Sequence, residues 1–415
     1  MTDDCFALDH RLLTLPDAFS LIAERVAPVT GRETLKLADC AGRVLAEPLT
    51  ASVTQPPFDN SAMDGFAIRL SDVESGSRRL KVAARIAAGH PGDSTPPPGS
   101  AVEIFTGAPL PDGFDTVVMV EDCTRDGEFI LLPDKIRPHA HVRRAGIDFK
   151  KGDVLLSPGR RLRPQDIGIA AATGATELSV RKRLKIGLFS TGDELVGPGG
   201  TLAAGQIFDS NRPMLKAALQ AMGFAVTDLG HLPDNKDALT TAFALAALDQ
   251  DALVSTGGVS VGGEDHVRAA IEQLGQIFFW KLALKPGKPL ALGHIGDATF
   301  IGLPGNPVSS LISLLVIGRT VLHRLAGATE DAALPAGVTV PAGAGLGVPG
   351  NRINFIRGRL ESRNGELAAL PYFSQDSSLI SSLTGSSGLI ELAAGVEAVE
   401  AGAPVLFRPY ESMMR

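Results

Sequence analysis

Two loops in this chain set carboxylates beside glycine. "STGDEL" (190–195) offers Ser190, Thr191, Asp193 and Glu194 directly after a strand-like run. "TGGVSVGGED" (256–265) offers Gly257 and Gly258 for close backbone approach, with Ser260 and Asp265 just before the start of a helix. Free backbone N–H groups and the helix dipole favour an anion at such a place. Asp193, Glu194, Asp234 and Asp265 together could hold Mg2+ through oxygen ligands, with water and substrate phosphates completing the shell. Acids and glycine-rich loops in one segment point to a phosphorylated ligand with its metal. Helix capping and tight turns are the plain structural use of the same residue types.

"KLALKPGKP" adds Lys281, Lys285 and Lys288, the last two flanking a Pro-Gly turn that fixes their separation. Paired lysines suit an oxyanion or polyphosphate, although for this stretch taken alone a solvated hairpin turn is the simpler explanation. "GLPGNPVSS" (302–310) brackets Gly-Asn with Pro304 and Pro307, and Pro307 sits where a first helical position would be. There is no Walker A loop, no G-x-G-x-x-G and no G-x-S-x-G elbow.

Upstream, "PPFDNSAMDGFAI" (56–68) crowds Asp59, Asn60, Ser61 and Asp64 among Phe58, Met63 and Phe66. That is more short polar side chains than a turn requires. "HAHVRR" (139–144) could be a His-x-His metal site, an anion-facing patch with Arg143 and Arg144 followed by Asp148, or a solvated surface.

These residues need elements to hold them. Residues 14–26 read as a helix with Thr14 as N-cap. Residues 33–47 carry a short strand and a short helix. From 66 to 140, short β-rich segments separated by "PPPG" and "APLPDG" predict a small β domain, and Pro164 to Thr173 a short helix. From 184 the pattern alternates strand and helix, with Asp209 or Ser210 capping one helix and Gly275 ending another. This predicts a parallel sheet covered on both faces, followed by a hairpin tipped by Gly296-Asp297 and a helix over 307–326. In open parallel sheets ligands bind beyond the carboxyl ends of the strands, which is where the acidic and glycine-rich loops fall. After 328, short strands and Gly-rich turns predict a β-barrel or sandwich.

The chain has 415 residues, of which 44% are hydrophobic and 20% charged, and carries a net charge of −7. That balance is globular, and without a basic run it argues against nucleic acid as a partner. Three scattered cysteines make neither a disulfide framework nor a metal cluster, which fits a reducing compartment. The acidic start "MTDDCFALDH" lacks a signal-like apolar region, and the most apolar run, 311–317, is shorter than a bilayer crossing needs. A cytoplasmic protein with no membrane contact is expected.

"PPFDNSAMDGFAI", "TGAPLP", "RRAGID", "STGDEL", "GQIFDSNRPML", "TGGVSVGGEDHV", "KLALKPGKPLALG" and "GLPGNPVSS" occur in this order. Together they resemble the molybdopterin molybdenumtransferases, the MoeA-type proteins and the E domain of gephyrin. The resemblance spans essentially the whole chain and is densest between 56 and 310. It implies an elongated homodimer of multidomain chains: a molybdopterin-binding doubly wound α/β domain, a β-rich inserted domain and a C-terminal β-barrel-like domain. The implied boundaries are 1–26 as a segment on the α/β domain, 27–50 with 145–180 as a connecting domain, 51–144 as the insertion, 181–327 as the α/β domain and 328–415 as the C-terminal domain.

The implied reaction hydrolyses adenylylated molybdopterin with Mg2+, releases AMP and places molybdate on the dithiolene sulfurs. By resemblance, Asp265, Lys285, Lys288, Asp64 and Glu194 are catalytic, with Asp265 and Glu194 on the metal. Asp59, Thr106, Arg143, Asp148, Asp234, Gly257, Gly258, Ser260, Lys281, Pro304, Pro307, Arg357 and Ser377 bind substrate. Arg357 and Ser377 match an Arg and a Ser that help hold molybdate. Asn235 departs from the many relatives that carry a second acid there. The insertion of one subunit, with Asp59, Asn60, Ser61 and Asp64 anchored by Phe58, Met63 and Phe66, would form the far wall of the other subunit's site. The resemblance also implies transient contact with a molybdopterin adenylyltransferase and with molybdoenzyme maturation proteins. A receptor-binding scaffold, the other role of the gephyrin E domain, would require additional interaction regions.

Overall fold

A computed structural model describes residues 12–90, 95–257, 266–287, 290–329, 331–347, 350–363 and 365–414. The chain divides into two compact units. One comprises the described residues up to Glu47, Pro158–Arg163 and Glu177 onward; the other comprises Pro48–Ser157 and Pro164–Thr176.

The first unit is built on a seven-stranded sheet. Its order is Leu12–Leu13, Gly275–Leu282, Leu290–Ile295, Ala298–Leu303, Ala252–Thr256, Lys185–Thr191, Ala225–Leu232. The last four strands are mutually parallel, whereas Gly275–Leu282 and Leu290–Ile295 run antiparallel to their neighbours in the hairpin region. The parallel strands are apolar runs because both faces are covered. Ala252 and Val254 enter one core with Leu215, Leu219, Ile312 and Leu322, while Leu253 between them enters another with Leu239, Phe243, Val267 and Ile271. Helix Asn211–Ala221 therefore lies on one face, and helices Lys236–Ala247 and His266–Leu274 on the other.

Local chemistry sets the helix ends. Thr14 Oγ1 accepts from the Asp17 N–H at 3.3 Å and starts Leu15–Arg25. That helix buries Leu15, Ala18 and Ile22 in the same core as the strands, although it lies far from them in sequence. At Asn211–Ala221 the cap is Asp209, whose Oδ1 accepts the Arg212 N–H at 3.1 Å, while Ser210 makes no side-chain cap. Asn235 Oδ1 accepts from Asp237 and Ala238 at 3.0 and 3.1 Å and starts Lys236–Ala247. Gly275 ends His266–Leu274, as expected, and also opens the strand Gly275–Leu282. A Cβ there would lie 2.0 Å from the His294 carbonyl oxygen, so glycine is required by strand approach.

The 307–326 expectation becomes a continuous helix with a π segment at Leu314–Gly318. Pro307–Leu325 spans 19 residues, so it is long and apolar enough to cross a membrane, unlike the shorter run seen in sequence. It is 94% buried within the fold, as the central helix of a core is.

The C-terminal part is strand-rich, ordered Leu284–Lys285, Ile353–Arg363, Gly388–Leu392, Pro404–Pro409, Val338–Pro341, with Glu366–Pro371 on Ile353–Arg363. A bridge between Ala342 and Ala369 joins the two ends, giving the barrel-like closure. The first strand of this sheet, Leu284–Lys285, comes directly from the α/β part.

The second unit holds a six-stranded sheet ordered Thr116–Met119, Gly65–Ile68, Ser100–Ile104, Arg79–Ile86, Phe129–Leu131, Thr124–Asp126. Its core includes Phe66, Ile68, Leu80, Ala101, Val118 and Ile130.

Candidate functional site

The strand ends of the parallel sheet meet in the first unit. Thr191, Thr256 and Leu303 end neighbouring strands, and the loops after them touch. A Cβ on Gly257, whose φ is +86°, would lie 2.7 Å from the Thr191 carbonyl oxygen; no larger residue fits between these loops. Asn211 fixes the third loop: its Nδ2 donates to Thr256 Oγ1 at 2.9 Å and to the Gly305 carbonyl at 2.6 Å. Behind it, Asp209 is buried and accepts from Ser190 Oγ at 2.6 Å and from Arg212 Nε at 3.0 Å. Asn211 and Asp209 were not among the expected site residues. Their signal was "FDSNRP", which reads as a helix start and hides the second use.

The Pro304–Pro307 loop reaches the C-terminal part. Asn306 Nδ2 donates to Ser377 Oγ at 3.2 Å, and the Val308 N–H donates to the Ser377 carbonyl at 3.3 Å. Close by in sequence, Arg357 is 0% exposed, the largest fully buried side chain among the described residues. Its Nη2 donates to the Ser374 and Asp376 carbonyls at 3.2 and 3.0 Å. Its Nε and Nη1 have no partner among the described residues. Burial pulls its pKa down, opposed by the fields of Tyr410 and Asp376. A buried guanidinium with two unused nitrogens is costly unless an acceptor arrives. Lys285 pairs with Asn354, three residues before Arg357, and its side chain is exposed. The fold thus brings Pro304, Pro307, Ser377, Arg357 and Lys285 into one region.

The acids sit at adjacent strand ends. Glu194 is exposed, and its carboxylate folds back over Gly192. Asp234 is half-buried just beyond the neighbouring strand, Ala225–Leu232. Mg2+ typically takes one or two protein carboxylates, with water and phosphate oxygens for the rest. Glu194 and Asp234 supply that donor type, and no three acidic, His or Cys side chains gather among the described residues. The donor set fits a metal carried largely by substrate phosphate. Gly258, Ser260, Asp265 and Lys288, and the side chain of Lys281, lie outside the described residues.

The second unit gathers Asp59, Asp64, Thr106 and the 143–148 loop. Asp64 Oδ1 accepts from both the N–H and the Oγ1 of Thr106 at 2.8 Å, and these bonds, the backbone one foremost, lower its pKa. Asp59 accepts from the Ala145 N–H at 2.8 Å and from Arg144 Nη1 at 2.6 Å; the backbone bond is the first cause of its lowered pKa. The Ser61 N–H donates to the Ala108 carbonyl, and Asn60–Ser61 pairs with Val142–Arg143. The polar crowding in "PPFDNSAMDGFAI" therefore ties three loops together. Gly65 is forced by approach, since a Cβ would lie 2.0 Å from the Val118 carbonyl oxygen.

Of the expected anchors, only Phe66 is buried, at 3% exposure. Phe58 and Met63 are 46% and 43% exposed, because their segment is held by hydrogen bonds rather than by side-chain burial. Arg143 and Asp148 are exposed. His139 Nδ1 lies 3.2 Å from Arg144 Nη2 and 3.3 Å from the Asp115 carbonyl, so that ring is engaged within its own loop.

Residues 13–174 match the MoeA N-terminal region (domain I and II), 187–324 a probable molybdopterin binding domain, and 339–410 the MoeA C-terminal region (domain IV). A protein of Haemophilus influenzae named molybdopterin molybdenumtransferase is 39% identical, covering 97% of this chain and 100% of that protein. The chain belongs to the molybdopterin molybdenumtransferase family. The family is one of transferases in molybdenum cofactor biosynthesis. A second member with that name, from Synechococcus elongatus, is 36% identical over 96% of this chain and 99% of its own. The crystal structure of the molybdopterin biosynthesis moeA protein from Pyrococcus horikoshii OT3 matches with a TM-score of 0.80 at 26% identity, covering 96% of this chain and 100% of that one.

Proposed function

We propose that this chain inserts molybdate into adenylylated molybdopterin, with Mg2+-dependent hydrolysis of the adenylate and release of AMP. The observation that carries the reading is Arg357: a fully buried guanidinium whose Nε and Nη1 have no partner among the described residues, on the strand that pairs with the strand of Lys285 and near the Asn306–Ser377 contact. Molybdate is a tetrahedral dianion, and a rigid guanidinium fork with a hydroxyl and an ammonium group is what such an ion requires.

The phosphate end of the substrate fits the strand-end loops, where Gly257 lets backbone approach closely. Mg2+, when bound, would neutralise the pyrophosphate for cleavage, with Glu194 and Asp265 as its protein oxygen donors. Asp234, Gly258, Ser260, Lys281 and Lys288 complete the phosphate and pterin contacts in this reading. Pro304 and Pro307 hold the loop rigid, so the acceptor sulfurs and the oxyanion meet in fixed geometry. The chain supplies binding, orientation and charge, with no covalent intermediate on a side chain.

In the proposed homodimer, the insertion of one copy, with Asp59, Asp64, Thr106, Arg143 and Asp148, would line the partner's site. The depressed pKa of Asp64 keeps it ionised, so it serves as an acceptor or metal-facing carboxylate rather than as a proton donor. A cytoplasmic setting, with a separate adenylyltransferase delivering substrate and maturation proteins taking product, follows from the same chemistry.

The test incubates purified protein with adenylylated molybdopterin, Mg2+ and molybdate. AMP release and activation of an apo-molybdoenzyme are expected. Absence of both, with folded dimeric protein, would overturn the reading.

A further inference from the structure

A second polar pocket opens at the opposite end of the parallel sheet. It is lined by Arg43, Arg161, Arg181, Lys182, Arg183 and His323, with Gly223 and Phe224 beside them. Leu184, also in the lining, immediately precedes the Lys185–Thr191 strand. The seven residues of that strand, at about 3.3 Å each, put the pocket roughly 20 Å from the strand-end loops.

Of the rim cations, Arg43 is paired with a carboxylate and Arg181 with a neutral carbonyl. Arg43 pairs with Glu33 and donates to the Arg181 carbonyl at 2.8 Å, and Arg181 Nη1 donates to the Thr30 carbonyl at 2.9 Å. Lys182 and Arg183 are exposed. The floor is different. His323 is 2% exposed, stacks its ring 5.1 Å from that of Phe224, and has a buried Nε2 without a partner among the described residues. Arg161 donates its Nε to the Gly42 carbonyl at 3.3 Å, and its buried Nη1 has no partner among the described residues. A Cβ at Gly223 would lie 2.9 Å from Arg161 Nη2, so glycine makes room for the guanidinium.

The acids that face this group are Glu33, on Arg43, and Asp331, whose field reaches Arg161 and Arg319. Arg319 stands behind the floor, donating to the Asp331 and Ala333 carbonyls. Burial first, then Arg319 and Arg161, hold His323 neutral. Positive charge is in surplus, and two residues that line the cavity, Arg161 and His323, each carry a buried nitrogen without a partner among the described residues. Water could occupy it without offsetting the charge; an oxyanion does both.

We propose that this pocket binds a small tetrahedral oxyanion of the phosphate class, at a site separate from the strand-end loops. Bound there, the anion cross-links the 42–44, 161 and 181–183 segments to the last turns of the Pro307–Leu325 helix. Free phosphate and a phosphate monoester share this chemistry.

The full chain is titrated with inorganic phosphate against chloride at constant ionic strength, and in parallel with AMP. Melting temperature and the ring resonances of His323 are followed. A saturable rise in melting temperature and a shift of the His323 signals are expected, both retained in Lys285→Ala. Arg183→Ala, on the exposed rim, weakens the phosphate affinity about tenfold, and Arg161→Met removes the response. A response to AMP equal to that of phosphate assigns the site to esters; a response to phosphate alone assigns it to the free ion. The proposal is overturned if wild type shows no saturable response, or if Arg183→Ala and Arg161→Met both leave the affinity unchanged. It is also overturned if the response vanishes in Lys285→Ala and survives in Arg161→Met.

Discussion

Asn306 donates its Nδ2 proton to Ser377 Oγ across 3.2 Å, joining the rigid loop after a parallel strand to the strand-rich C-terminal part. The bond places a hydroxyl from one part of the chain beside a loop from another, in the region of Arg357. Ser377→Ala removes a neutral hydrogen bond worth about 0.5–1.5 kcal/mol, so the melting temperature should fall only slightly. Molybdate handling should suffer more. With AMP release measured at varied molybdate, the KM for molybdate is expected to rise about tenfold, and an unchanged KM would exclude Ser377 from the oxyanion site.

Arg357 separates stability from function. A buried charge costs desolvation, and replacing it by an apolar side chain of similar volume is often neutral or stabilising. Arg357→Met should therefore melt within a few degrees of wild type while losing on the order of 100-fold in cofactor formation, by analogy with lost charge-stabilising donors. Arg357→Lys should not restore activity, because a point charge cannot reproduce the guanidinium fork. Calorimetry and the AMP assay on the same preparations decide it.

Asp59 and Asp64 make the insertion sensitive to acid. Both have folded pKa values below their usual range, chiefly through accepted backbone bonds from Ala145 and Thr106. A depressed carboxylate stabilises the fold above its unfolded pKa of about 3.9, and that contribution fades as pH falls through the lower folded value. Loss of the insertion's β signal in circular dichroism should begin below about pH 4, whereas Asp59→Asn should weaken the fold already at neutral pH. Equal acid profiles for the two proteins would contradict this.

Asn235 and its neighbour Asp234 should behave in opposite ways. Asn235 caps Lys236–Ala247 through two backbone N–H groups. Asn235→Ala should cost about 1 kcal/mol in urea unfolding and leave kcat near wild type. Asp234→Ala should leave stability within about 0.5 kcal/mol and raise the KM for the adenylylated substrate. The cap also explains why an amide serves here as well as an acid would: either side-chain oxygen can accept the helix N–H groups.

Much of the site could be read in the residues. Strand ends followed by glycine and acid marked the Lys185–Thr191 and Ala252–Thr256 loops, because a parallel sheet leaves ligands only that edge. Asn211 escaped notice because helix-start residues look alike whether they cap or bridge loops. Gly275 read as a helix stop, which it is, but its second role at a strand start was hidden because close approach to the His294 carbonyl depends on a strand separated from it in sequence. Phe58 and Met63 read as anchors because apolar type suggests burial, yet hydrogen bonds from Asp59, Ser61 and Asp64 already hold their segment.

By itself the sequence determined the alternation of strands and helices, the cap at Thr14, and the set of residue types suited to an oxyanion and a phosphorylated ligand. Those properties are local: periodicity, turn chemistry and side-chain valence act within a few residues. The tertiary structure alone decided which of them meet. Only the folded chain puts Ser377 against Asn306, buries Arg357 with two idle donors, and closes Arg161 and His323 around a second pocket. Burial and unpaired donors arise from contacts between segments 17 to 119 residues apart, and no local pattern encodes the cost of leaving a buried charge without its partner.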